Sequence, residues 1–436
     1  MFDSLSRRDF IKTTSTLTAS VSLAGAVWSD EKAPGRPARH DRIRLGVVGV
    51  AGRGGSNLNG VAHEEIVALC DVDTNRAAAA RRQFPRADFF EDYRQMLDRQ
   101  RDIDAVVVST PDHTHAVVGV AAMLAGKHLY CEKPLAHSVH EVRRMMQVAE
   151  QQNVKTQMGT QIHAANNYRR VVEIIEAGVI GDVNRVHVWC NKRPSGGQRP
   201  QRPANVPAGL NYDLWLGPAP QRPYHQSHLH FNWRWWWDFG GGVLADMACH
   251  YMDLPHWALA LRNPLSVEAT GRKLYRGDND VPSVMQVDYR YPARGTKPAV
   301  HLTWYHGVDN PSIGERVQNH GFRNGVLFEG TRGQLIADYG RYRLLPANRF
   351  QNFEPPRQTI AASLGHYREW LHAIRTNAGT TCNFDYSGSL AISVLLGNVA
   401  YRVGQKIEWD EAQGRITNTR EADQYIQREY RRGWTL

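Results

Sequence analysis

A chain of 436 residues, 42% apolar and 22% charged, has the make-up of a globular protein long enough for two domains with separate cores. Its formal net charge of +10 is spread along the chain, and the densest basic loop, 192–202, is broken by Pro and Gly, so nucleic acid is not an expected partner. Five cysteines, at 70, 131, 190, 249 and 382, lack C-x-x-C spacing, which excludes a zinc ribbon or a disulfide framework.

In chain order, Ser6-Arg7-Arg8-Asp9-Phe10-Ile11-Lys12 precedes an uncharged run rich in Thr, Ser, Ala, Leu and Val, with an Ala24-Gly25-Ala26 cleavage pattern. The arrangement resembles a twin-arginine signal over 1–28, which implies the twin-arginine export machinery as a partner and a periplasmic or envelope location, with an uncleaved membrane tether as the alternative. A Pro-rich charged linker follows over 29–41. Strand and helix patterns then alternate: strands at 43–48, 66–71, 88–90, 105–109, 128–131 and 155–158, and helices at 54–62, 75–83, 93–99, 115–125 and 138–151. Such alternation predicts an α/β domain over 42–160 with a doubly wound, mostly parallel sheet of Rossmann type. A helix at 164–177 ends at Gly178, and strands at 185–190, 266–273, 283–291 and 299–305 follow without regular helices between them. A hairpin over 325–339 turns at Thr331-Arg332-Gly333, and helices at 365–376 and 387–403 come last. Residues 161–436 are therefore expected to form an α+β domain with a large, mostly antiparallel open sheet.

The first strand runs into Gly49-Val50-Ala51-Gly52-Arg53-Gly54 and a helix, and Asp71 ends the second strand twenty-two residues after Gly49. Small residues there let the backbone approach a pyrophosphate at a helix N-terminus, and the acid suits a ribose hydroxyl pair. Ala51 replaces the second glycine of G-x-G-x-x-G: either its φ is negative, or Gly52 provides the close approach. Because Asp71 would repel a 2′-phosphate, NAD is expected, with NADP as the alternative through Arg53 and Arg76. Thr110, Pro111 and His115 follow the next long strand at the same sheet edge and are expected to face the nicotinamide half, with His115 as a helix N-cap neighbour without a role as the alternative. Glu132-Lys133-Pro134 ends strand 128–131, which puts a lysine in the ligand crevice and a glutamate able to pair with it or with a sugar hydroxyl.

Asp246 and His250, four apart, share one face of a helix behind Gly240-Gly241-Gly242, with Asp253 a turn further on. Oxidation of an alcohol requires a base: His250 is the candidate, Asp246 would orient it, and Lys133 would stabilise the developing alkoxide. Arg234, Trp235, Trp236 and Asp253 are the expected substrate contacts, the aromatic faces offering either a stacking platform for sugar rings or simple core packing. His225, His228 and His230 are irregularly spaced without a matching acid, so no metal is expected.

The glycine turn, Thr110-Pro111 with His115, Glu132-Lys133-Pro134, Gly178-x-x-Gly181 and Asp246-x-x-x-His250 together resemble the glucose-fructose oxidoreductase, inositol dehydrogenase and rhizopine catabolism group, Gfo/Idh/MocA, from Ile43 to about Asp410. The Trp-rich stretch is similar to that of exported members. The resemblance implies contact of Lys133 with ribose and substrate, catalytic roles for Asp246 and His250, a carbohydrate or polyol substrate, and homo-oligomer (dimer or tetramer) contacts through the open sheet. Two activities follow: an oxidoreductase of a sugar, polyol or glycoside hydroxyl with tightly held cofactor, or a redox-neutral NAD-dependent glycosidase or lyase working by transient oxidation and elimination. A cofactor-bound scaffold or sensor without turnover is a third.

Overall fold

A computed structural model describes residues 42–199, 202, 204–307 and 320–436. The expected export signal and linker lie outside the described residues.

Valine-rich runs bounded by turns become strands buried on both faces, as a parallel sheet between helix layers requires. Elements alternate from β1 (Arg44–Val48), α1 (Arg53–Val61), β2 (Glu65–Cys70), α2 (Thr74–Gln83), β3 (Asp88–Phe90) and α3 (Tyr93–Arg99) to β4 (Ala105–Val108), α4 (His115–Leu124), β5 (His128–Cys131), α5 (Val139–Gln151) and β6 (Thr156–Met158). Their sheet has the order β3-β2-β1-β4-β5-β6, every pair parallel. Strand order reverses between β1 and β4, so the loops after them flank the crevice in which open α/β sheets bind ligands. Asp73 caps α2 through the N–H groups of Asn75 and Arg76, and Ser138 with Glu141 forms a capping box on α5.

Beyond residue 160 the expected helix from 164 is interrupted. A 3₁₀ turn at Gln161–Ala164 ends at Ala165 in extended backbone, and α6 runs over Asn166–Glu176. There follow β7 (Val183–Cys190), α7 (Tyr212–Leu216), α8 (Gly242–Tyr251), α9 (Asp253–Ala258), β8 (Ser266–Arg272), β9 (Val284–Tyr291), β10 (Val300–His306), β11 (Gly325–Gly330), β12 (Gly333–Ala337), β13 (Tyr342–Leu345), α10 (His366–Thr376), α11 (Phe384–Val403), β14 (Ile407–Asp410) and β15 (Arg415–Ile416). The second sheet has the order β13-β12-β11-β7-β10-β9-β8-β14-β15; only the β7–β10 pair is parallel, the other pairs being antiparallel.

Two late helices pack on the first domain, and the second of them joins it to this sheet. Trp370 and Leu371 of α10 share a core with Leu45, Val47, Val107 and Tyr130, and Trp370 Nε1 donates to the Lys155 carbonyl at 3.1 Å. The chain thus returns to cover one face of the sheet expected to be complete at 160. On the other side α11 is buried almost throughout and packs on α5, α8 and β8. The two domains share this hydrophobic core, which holds α8 opposite the C-terminal edge of the parallel sheet.

Candidate functional site

Three glycines shape the turn after β1. Gly49 at φ +81° and Gly52 at φ +59° occupy left-handed backbone, and a Cβ on Gly54 would lie 1.8 Å from the Gly49 carbonyl oxygen. Ala51 is not among the positive-φ residues, which accounts for its tolerance, while Gly52 takes the special conformation. Gly52 begins α1 with no side-chain cap and no acid in the first turn, so the helix N-terminus is free to receive an anion, with Arg53 exposed beside it. Asp71 Oδ2 accepts from Val50 N–H and Oδ1 from Asp73 N–H, both at 3.0 Å, leaving each oxygen a second lone pair for ribose hydroxyls. Burial raises the Asp71 pKa against these two N–H groups. These residues fit a dinucleotide. Gly54→Ala should therefore destabilise the fold by about 1–3 kcal/mol or more through overpacking and weaken NAD binding, read by urea unfolding and by fluorescence titration with NADH.

Behind β4, Thr110 Oγ1 is buried without a partner among the described residues, a hydroxyl left for a bound group. His115 does not reach the crevice. It is 1% exposed, and its Nδ1 and Nε2 lie 2.8 Å from the Pro134 and Thr110 carbonyl oxygens, so the ring is wedged between the two loops and its one N–H donates to one of them. The expectation that it contacts cofactor is corrected: this imidazole, its pKa lowered by burial, is a strut. Glu132 does not pair with Lys133. Its Oε1 accepts from Asn57 Nδ2 at 2.9 Å and Gln161 Nε2 at 2.6 Å, and Tyr367 of α10 donates to Asn57 Oδ1 at 2.7 Å. The glutamate thereby links α1, β5 and the turn after β6.

Lys133 crosses the crevice to α8, donating to the Asp246 carbonyl and, at 3.0 Å, to its Oδ1. Arg234 Nε donates to the same Oδ1 at 3.1 Å, and Lys192 Nζ pairs with Oδ2. Burial pushes the Asp246 carboxyl up, but Lys133, Lys192 and Arg234 outweigh it and hold the pKa well below the carboxylate range. Asp246 is committed to these cations and makes no hydrogen bond to His250, so the expected Asp-His pair is replaced by an Asp-Lys pair. The His250 ring is partly exposed and has no hydrogen bond to a described residue. Burial first, then the Lys133 charge, keeps its pKa well below that of free imidazole. A buried carboxyl completes the cluster: Asp112, 5% exposed, is pushed up to about 7 by burial against the pull of Arg234 and Lys133. A crevice containing a cationic lysine, a neutral imidazole and a glycine-turn dinucleotide cradle is equipped for hydride transfer coupled to proton transfer.

Residues 43–160 match the model of an oxidoreductase family's NAD-binding Rossmann fold, and residues 166–301 match the same family's C-terminal alpha/beta domain. The chain belongs to the Gfo/Idh/MocA family. Inositol 2-dehydrogenase of Salmonella typhimurium is 34% identical over 152 residues, 33% of this chain and 45% of that protein. A glycosyl hydrolase family 109 protein of Solibacter usitatus is 30% identical over 203 residues, 42% and 44% of the two chains. The chain thus spans about half the length of these curated relatives. Among solved structures, a levoglucosan dehydrogenase in complex with NADH and L-sorbose superposes with a TM-score of 0.58 at 18% identity, over 85% of this chain and all of the other, which shows the shared fold.

Within this Gfo/Idh/MocA chain three expected substrate contacts are corrected. Trp235 and Trp236 are 2% and 1% exposed, core residues rather than a sugar platform. Trp236 Nε1 donates to the Ser227 carbonyl at 3.3 Å, and its ring meets His228 edge-on. Asp253 is 0% exposed, 2.9 Å from His163 Nδ1 and accepting from the Tyr386 hydroxyl at 2.7 Å, which makes it an internal anchor between α9 and the turn after β6. Arg234 does line the crevice, beside an exposed ring not anticipated from the sequence, Phe231. Lys192 was also missed as a site residue. Its signal was available, because like Lys133 it stands just beyond the C-terminal end of a strand, β7.

Proposed function

We propose that this chain is an NAD-dependent oxidoreductase acting on a hydroxyl of a sugar or polyol. The observation that carries the reading is the meeting of Lys133, from the parallel sheet's edge, with Asp246 of α8, one helical turn from the neutral His250. Bound nicotinamide would supply the hydride acceptor. Two N–H groups of Lys133 are held by the Asp246 carbonyl and carboxylate, so the third is left for a substrate oxygen, where positive charge stabilises a developing alkoxide. His250 accepts the hydroxyl proton on a ring nitrogen, for which a neutral imidazole is the competent form.

Tight retention of the cofactor is supported by the segment before α7, which lies across the β2–α2 turn. Asn211 N–H donates to the Val72 carbonyl at 2.8 Å, Thr74 N–H to Gly209 at 2.8 Å, and Asn75 Nδ2 to Ala208 at 2.7 Å. The likeness to a glycosyl hydrolase family 109 protein favours a second reading, cleavage of a glycoside by transient oxidation and elimination with no net redox change. Protein purified without added nucleotide and then unfolded should release nicotinamide, and sugars or polyols offered to NAD-supplemented protein should raise absorbance from NADH. Glycoside cleavage at constant total NAD would select the second reading. No released cofactor together with no binding of added NAD would overturn both.

A further inference from the structure

Three cations converge on one carboxylate, and among the described residues the crevice is left with unneutralised positive charge. Asp246 faces Lys133, Lys192 and Arg234, whose side chains are 11%, 29% and 20% exposed. Asp112 is the remaining carboxyl among these groups and makes no ion pair within the described residues. Even with both acids ionised the cluster carries an excess of one positive charge. Its donors are also in excess. Lys192 Nζ spends one N–H on Asp246 and, among the described residues, otherwise has only the Met247 sulfur, 3.9 Å away. Arg234 uses Nε on Asp246 and Nη1 on the Phe231 carbonyl, which leaves Nη2 without an acceptor among the described residues. The Phe231 ring lies 5.3 Å from Lys192 Nζ and 4.6 Å from Arg234 Cζ and is 42% exposed, so an apolar face stands directly beside the free donors.

A neutral sugar would leave this charge uncompensated, whereas a carboxylate has two oxygens for the adjacent ammonium and guanidinium donors and one charge to offset the excess. We propose that Lys192 and Arg234 form a carboxylate subsite and that the substrate is a sugar acid, a uronate or an aldonate, its carbon face against Phe231. The inference rests on the oxidoreductase reading of the same crevice.

NAD-loaded protein is titrated calorimetrically with hexuronates and hexonates of glucose, galactose and mannose configuration, each beside its neutral counterpart and a hexose phosphate. At least one acid should bind about 10-fold or more tightly than its neutral counterpart, with an advantage that falls as salt is raised. Lys192→Gln and, separately, Arg234→Gln should remove most of that advantage, with near-ultraviolet circular dichroism confirming the fold; Lys192, the more exposed, serves if the arginine variant does not fold. Equal binding of acids and neutral sugars across the panel, tighter binding of the phosphate, or an acid preference that survives Lys192→Gln would overturn the proposal. Failure of NAD loading would overturn the oxidoreductase reading instead, and the calorimetric step separates the two.

Discussion

Replacing His250 by Ala is expected to lower turnover by about 10² to 10⁴, the usual contribution of a positioned general base, with NADH affinity little changed. The reasoning begins with α8. Its turn places the imidazole beside the lysine-carboxylate pair but leaves the ring without a hydrogen bond to a described residue, so a substrate hydroxyl is the partner it lacks. Burial and the Lys133 charge both disfavour imidazolium, so the folded pKa lies below the free value of about 6.5. Protonation that disables the base therefore begins at lower pH than for an unperturbed histidine, and the turnover limb belonging to His250 should fall below pH 6.5. A separate inflection near pH 7 would belong to Asp112, whose carboxyl burial pushes up to about 7, and Asp112→Asn should remove it. Measuring kcat from about pH 5 to 9 in the wild type and both variants assigns the limbs. An unchanged rate in His250→Ala would remove this residue from the chemistry.

The parts legible in the sequence are those governed by local pattern. Ala105–Val108 is apolar without interruption, rich in β-branched valine and short, which reads as a strand buried on both faces, and the Gly49 turn needs glycine where φ is positive and where Gly54 meets a carbonyl. Lys133 and Asp246 were expected to act, yet their direct pairing joins residues 113 apart and has no local signature. The same distance problem misdirected the Asp246-His250 reading: helical spacing puts both on one face, but a charged ammonium competes better for a carboxylate than an imidazole whose protonation burial disfavours. Asp253 reads as a substrate contact in the sequence because its partner, His163, lies 90 residues earlier. The tryptophans failed for another reason. Alternation distinguishes two faces but cannot say which faces water, and the 3₁₀ turn at Asn232–Trp235 changes the period midway, sending both Trp235 and Trp236 inward. Lys192 and Asp112 acquire meaning only through the carboxylate and cations gathered around them.

Asp246→Asn should destabilise the fold by about 3 kcal/mol, the lower end for breaking a buried ion pair, because partial exposure of Lys192 and Arg234 gives water some access to the stranded charges. Asparagine keeps the size and one acceptor oxygen but leaves three cations facing one another across the domain junction. The effect depends on pH with a definite sign. The cations outweigh burial to lower the folded pKa of Asp246, so its stabilisation is complete above the unfolded value of about 4, declines as pH falls below it and is gone once pH has passed through the depressed folded value. The gap between wild type and variant should therefore begin to narrow near pH 4 and close only in stronger acid. Urea unfolding at neutral pH measures the main effect, and a double-mutant cycle tests its cause. If Asp246 exists to hold like charges together, adding Lys192→Gln to Asp246→Asn removes part of the repulsion, and the double variant should be more stable than the sum of the two losses predicts by about 1–3 kcal/mol. Strict additivity would mean that Asp246 stabilises α8 for some other reason, and the charge-cluster account of the domain junction would fall with it.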